Sequence, residues 1–160
     1  MKSLITLLPI FAAGCASTIP VPDQLNPGAN EALAFVVPAK GVQIYECRAG
    51  NWAFVAPDAE LFDRAGKKIG SHYAGPHWEA ADGSKVLGVV KQRADAPDAG
   101  DIPWLLLGAK SVGGEGAFSK VTSIQRVATV GGIAPAAGCN EAGARARVPY
   151  TADYYFFSPK

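Results

Sequence analysis

The stretch V-Q-I-Y-E-C-R-A-G-N-W-A-F-V, residues 42–55, decides the fold class. Val42, Ile44 and Glu46 alternate with Gln43, Tyr45 and Cys47, so the two sets point to opposite faces of an extended strand. Ala49-Gly50-Asn51 supplies a tight turn, and Trp52 to Val55 returns as the second arm of a hairpin.

The same grammar extends in both directions. Ala34 to Val37 is a short apolar run before the hairpin. After it, Pro57-Asp58 turns the chain, and Glu60-Leu61-Phe62-Asp63 leads into Arg64-Ala65-Gly66-Lys67, a hairpin loop with Gly where positive φ is needed. Lys68 to Ala74 and Trp78 to Ala80 are further short strands. Asp82-Gly83 turns into Ser84 to Gln92, where Val86 and Val90 oppose Leu87 and Val89; two apolar faces suggest a central strand. Arg93 to Pro103 is a polar loop, and Trp104 opens the most apolar strand, which runs to Val112. Phe118 to Val130 is rich in β-branched residues but spaces its large apolar groups by three. That is expected of a strand with a bulge or strong twist. Residues 131–147 form a Gly/Ala-rich loop carrying Cys139, and Ala152 to Ser158 is a final strand. The expectation is an all-β, single-domain antiparallel β-sandwich or small β-barrel of nine or ten short strands.

Composition agrees with a globular chain. Apolar residues make up 49% of the 160 and charged residues only 18%, so disorder is excluded as the general state. The 18 glycines and 12 prolines are scattered without a period and read as turns. A net charge of +1 offers no electrostatic footprint for nucleic acid.

The amino terminus reads as an export signal over residues 1–16. Met1-Lys2-Ser3 is a short positive region, and Leu4 to Ala13 is an apolar run too short to span a bilayer. Ala12-Ala13-Gly14-Cys15 resembles a lipobox, with Ala12 where Leu is usual; Cys15 would then be lipidated and anchor the protein to a membrane. The other reading is ordinary cleavage after Ala16. The protein is therefore expected in the periplasm, as an outer-membrane lipoprotein, or secreted. Residues 17–33, with three prolines, read as a linker, and residues 34–160 as the all-β domain. With Cys15 lipidated or removed, Cys47 and Cys139 remain, and in an oxidising compartment they are expected to form a disulfide. The loop it closes, of about 90 residues, is worth roughly 4 kcal/mol on the chain-entropy argument.

Chemistry concentrates in G-S-H-Y-A-G-P-H-W-E-A-A-D-G-S, residues 70–84, which holds both histidines. His72 and His77 are separated by an odd number of residues, so an extended segment puts them on opposite faces; the Gly75-Pro76 turn between them leaves convergence open. If they converge, His72 and His77 with Glu79 or Asp82 could offer two nitrogens and a carboxylate to a divalent metal; the plainer reading is His72 as a hydrogen-bonded anchor of the loop, since buried polar groups need partners, and no metal and no cofactor is assigned. The site residues expected are His72, Trp78, Glu79 and Asp82, with Tyr45 and Trp104 nearby, forming a pocket for a small molecule or an envelope component. The enzymatic alternative is a secreted hydrolase or metal-dependent enzyme using His72 with Asp82 or Glu79. No G-x-S-x-G elbow accompanies them, and no catalytic residue is assigned.

With these residues in view, the chain resembles the DUF3455 family of exported bacterial and fungal domains. The pieces that carry the resemblance are V-P-A-K-G-V-Q-I-Y-E-C (37–47), W-A-F-V-A-P-D-A-E-L-F-D (52–63), the 70–84 stretch, I-P-W-L-L-L (102–107), T-S-I-Q-R-V-A-T-V-G-G-I-A-P-A-A-G-C (122–139) and V-P-Y-T-A-D-Y-Y-F-F (148–157). The resemblance spans residues 34–158 and implies a small exported domain with no established activity. Some members carry a malate dehydrogenase label, which the absence of G-x-G-x-x-G and of strand–helix alternation does not support here.

Overall fold

The computed structural model describes residues 19–160. The stretch read as an export signal, residues 1–16, and the lipidation candidate Cys15 lie outside the described residues. Eight antiparallel strands follow one another: β1 (Glu31–Arg48), β2 (Asn51–Phe62), β3 (Lys68–Tyr73), β4 (His77–Ala80), β5 (Lys85–Ala94), β6 (Trp104–Ser111), β7 (Ser123–Gly131) and β8 (Arg145–Pro159). Each pairs with the next, and β8 pairs back onto β1, closing the sheet as a barrel. The all-β antiparallel expectation holds, in its barrel form.

The strand count is eight because two apparent breaks are not breaks. Residues 34–37 and 42–48 are parts of one strand, β1, which passes straight through Pro38 and Gly41. Residues 52–55 and 60–63 likewise belong to β2, with Pro57 inside it. Proline is tolerated in a strand where one side needs no ladder bond, and β2 meets β3 only from Ala59 onward. The turns at Ala49-Gly50, Gly66 and Gly83 are where the sequence puts them, each using positive φ. β7 starts at Ser123, later than expected, and its register shifts between Val127 and Val130 as a bulge.

The alternation of residues 42–47 also holds: Gln43, Tyr45 and Cys47 are buried. One end of the barrel is filled by an aromatic stack. Phe118 lies 4.8 Å from Phe156 and 5.8 Å from Phe35, ring centre to ring centre. The loop that carries Phe118 is held by the β4–β5 turn: Asp82 accepts the Ala117 N–H, and Ser84 Oγ accepts the Phe118 N–H. At the other end the loop between β7 and β8 is tied down by the Cys47–Cys139 disulfide, whose Cα atoms are 5.7 Å apart. Trp52 Nε1 adds a bond to the Ala137 carbonyl of that loop.

The Pro-rich segment before β1 lies against the outside of the barrel. A 3-10 turn at Asp23–Leu25 buries Leu25 completely. It packs with Trp104, Leu106 and Val127, the outward residues of β6 and β7. Gln125 Nε2 donates to the Leu25 carbonyl at 2.6 Å. Truncation of a buried leucine costs about 2–5 kcal/mol. Leu25→Ala is therefore expected to lower the unfolding free energy by that order, seen in urea as a lower midpoint, whereas a free tether would leave chemical denaturation unchanged.

Candidate functional site

The β3–β4 hairpin is shorter than its neighbours. Tyr73 pairs with His77, and the chain reverses at residues 74–76. β2 and β5 run on past that tip. Asn51 to Asp58 of β2 lie beyond its pairing with β3, and Val89 to Ala94 of β5 lie beyond its pairing with β4. The wall therefore has a notch between β2 and β5 above Gly75-Pro76. A cavity of about 260 Å³ opens there, bordered by Phe54 and Pro57 of β2, Pro76 of the hairpin tip and Val90 of β5. Phe54 and Val90 are 54% and 52% exposed, although strand alternation would bury large apolar groups.

His72 and Trp78, cross-strand neighbours on β3 and β4, line the cavity. Their rings stack at 4.1 Å and 16°, and Tyr154 meets both edge-on. Gly88 on β5 makes room for this stack, since a Cβ there would lie 2.7 Å from Trp78 Cζ3. His72 Nδ1 is 2.8 Å from the His77 carbonyl, which can only accept, so Nδ1 carries the proton. Burial pulls the His72 pKa from 6.5 down to about 3, against that bond, and the Arg126 charge pulls the same way as burial. The ring is neutral, with Nε2 an acceptor.

Gln43 from β1, Arg126 from β7 and the aromatic Tyr154 from β8 complete the cavity, and the first two are groups that the local sequence did not single out. Gln43 is 2% exposed and its Nε2 has no hydrogen-bond partner; Trp78 is 1% exposed and its Nε1 has none either. Arg126 donates through Nε and Nη2 to one carbonyl, that of Pro103, at 3.1 and 2.7 Å. Burial raises the Tyr154 hydroxyl pKa, which keeps that group neutral above Arg126. The signal for Gln43 was a polar residue on the inward face of an alternating strand. Arg126 had none, because its strand spaces apolar residues by three.

The other expected site residues are elsewhere. Glu79 points out of the barrel, where it accepts from Tyr73 Oη at 2.5 Å and pairs with Lys85 at 3.1 Å. Asp82 sits in the turn at the filled end, bonded to Ser84 and Ala117. His77 is on the outer face, stacked on Tyr73. Tyr45 Oη donates to the Gly132 carbonyl at 2.7 Å in the same half of the barrel, outside the cavity lining. Trp104 lies under the 3-10 turn, and its Nε1 is a third buried donor without a partner. Thus His72 and Trp78 come together, and neither acid reaches His72. Among the described residues, no group of three or more His, Cys, Asp or Glu side chains is placed to hold a metal ion.

A family model described as "Protein of unknown function (DUF3455)" matches residues 27–158. No curated protein and no solved structure matches the chain.

The neutral His72 makes stability depend on pH. Its folded pKa is depressed, so below pH 6.5 the unfolded chain takes up a proton that the folded chain refuses. Stability from this group is full above pH 6.5 and falls toward about pH 3. The loss is about 1.4 kcal/mol per pH unit within the window, or about 2 kcal/mol by pH 5. Urea unfolding at pH 7.5 and pH 5 is expected to show this loss in the wild type and a much smaller one in His72→Gln. Equal pH slopes in the two proteins would show that His72 is not the group responsible.

Proposed function

The chain belongs to the DUF3455 family, and from that premise we propose that it is a small-ligand-binding barrel of an oxidising, extracytoplasmic compartment. The observation that carries the binding reading is the pair of buried donors, Gln43 Nε2 and Trp78 Nε1, that line one cavity without partners. A buried donor left unpaired costs about 1–3 kcal/mol, so two beside the same space favour an occupant that accepts from them. The setting is that of a small-ligand site: a concave, mainly apolar wall with a few convergent polar groups. Eight-stranded barrels have an interior of a size to hold one small ligand.

Binding is favoured over catalysis by the state of His72. Its Nδ1 proton is committed to the hairpin backbone, and Glu79 and Asp82 are engaged with other groups. A general base works best with a pKa near the working pH, and burial holds that of His72 down at about 3. The compartment is supported by the disulfide, since such bonds persist where thiols are oxidised.

The three tryptophans supply a test with internal controls. Trp78 lines the cavity, Trp52 is bonded to the Ala137 carbonyl, and Trp104 lies under the amino-terminal segment. In a two-dimensional ¹⁵N–¹H spectrum, apolar compounds bearing a hydrogen-bond acceptor are expected to shift the indole signal that Trp78→Phe removes, and not the other two. Shifts confined to Trp52 or Trp104, or none, would overturn the reading. Thiol titration of the protein purified from its native compartment is expected to find Cys47 and Cys139 unreactive until a reductant is added. Two reactive thiols beforehand would count against an oxidising location.

A further inference from the structure

We infer that the ligand is a small organic anion, an apolar body carrying a carboxylate or similar head group, with Arg126 as its counter-ion. The inference rests on the reading of the cavity as a binding site and adds the charge and size of the occupant.

The first argument is the sign of the unmet hydrogen bonds. A tryptophan N–H can only donate, and the unpaired atom of Gln43 is its amide nitrogen, also a donor. Both therefore ask for an acceptor. A carboxylate offers about four lone-pair directions, enough for several donors at once.

The second argument is charge. Arg126 cannot deprotonate, and it is only partly exposed. None of the ion pairs among the described residues includes it. Its guanidinium is bonded to one neutral carbonyl through Nε and Nη2 and stands beside the neutral Tyr154 hydroxyl, so its protein partners carry no negative charge. Its cross-strand neighbours are Leu105 and Tyr154, one apolar and one a neutral phenol. Asp153, beside Tyr154 on β8, lines a different cleft with Lys40 and Arg64, and Asp58 pairs with Arg147. A half-buried cation without a counter-ion is costly, and an anion in the adjoining cavity removes that cost.

The third argument is shape. Phe54, Pro57, Pro76, Val90 and Leu105 give the rest of the lining no charge to match. A volume of about 260 Å³ falls just short of the range of roughly 300–1,000 Å³ used by drug-sized ligands. The occupant is thus a molecule of one ring or a short chain, with its head group at Arg126 and its body toward the notch.

The test titrates the purified full chain with three carboxylates, benzoate, phenylacetate and hexanoate, and with their matching amides, following the Trp78 indole signal. At least one carboxylate is expected to bind about tenfold or more tightly than its amide, and to weaken as salt rises. Arg126→Gln is expected to remove that preference, bringing the acid's affinity to that of its amide, while Arg126→Lys keeps a part of it. If Arg126→Gln does not fold, the carboxylate-to-amide ratio and its salt dependence in the wild type decide the matter alone. Amides that bind as well as the acids, without salt dependence, would overturn the anion and leave the ligand-binding reading standing. A Trp78 signal unmoved by all six compounds would overturn both.

Discussion

The antiparallel ladder between β1 and β8 joins the first strand to the last, from Glu31 beside Pro159 to Glu46 beside Arg145. Once it forms, the sheet has no outer edges and the interior has a fixed girth. With eight strands that girth is about what side chains can fill. Whether a cavity exists is then decided by which residues point inward. At one end Phe35, Phe118 and Phe156 stack on each other, with an open surface cleft beside Phe35 and Phe118. At the other end the inward set includes Gln43, His72, Trp78 and Arg126, and the β3–β4 hairpin stops short of its neighbours. The barrel is thus closed by packing at one end and open by composition at the other.

That composition works against stability. Apolar side chains of similar size at positions 43 and 126 would remove an unpaired donor and an uncompensated cation, and such replacements are often neutral or stabilising. Sequences that fold well tend to agree at every level, and the disagreements collect at functional sites. Here the disagreements fall on one cavity, with Trp104 Nε1 the exception on the outer face. The rest of the fold offsets the cost through the aromatic stack, the long ladders of β1 and the disulfide that ties residues 47 and 139.

Much of this frame was legible in the sequence. The alternation of residues 42–47, the Gly turns and the parity of the cysteines are local signals, and each led to the correct element. Pro38 and Pro57 misled because proline is read as punctuation, whereas a strand accepts it wherever a ladder bond is not required on one side. The site was only half legible. His72 and Trp78 stood out as polar and aromatic groups in a strand-turn-strand stretch. Glu79 and Asp82 were drawn in by sequence proximity, but alternation sends Glu79 outward once Trp78 faces inward, and Asp82 belongs to the next turn. Trp104 was ambiguous because Trp104-Leu105-Leu106-Leu107 is apolar on both faces, and only the segment around Leu25 explains why the outer face needs to be. Gln43 and Arg126 come from β1 and β7, and barrel closure is what sets them on the same cavity as β3 and β4.

His72 shows how anchoring and site formation become one task. Its ring contributes a wall to the cavity through the stack on Trp78. The same ring donates from Nδ1 to the backbone of His77, just past the hairpin tip, and so fixes where the tip ends. The height of that tip sets the depth of the notch through which Phe54 and Val90 face solvent. A neutral histidine suits both parts, since a charged ring would place a second cation beside Arg126 in a space of low polarity. The two readings of this residue, loop anchor or site residue, are therefore not rivals. The bond that anchors the loop also fixes the tautomer and the plane of the ring that walls the cavity.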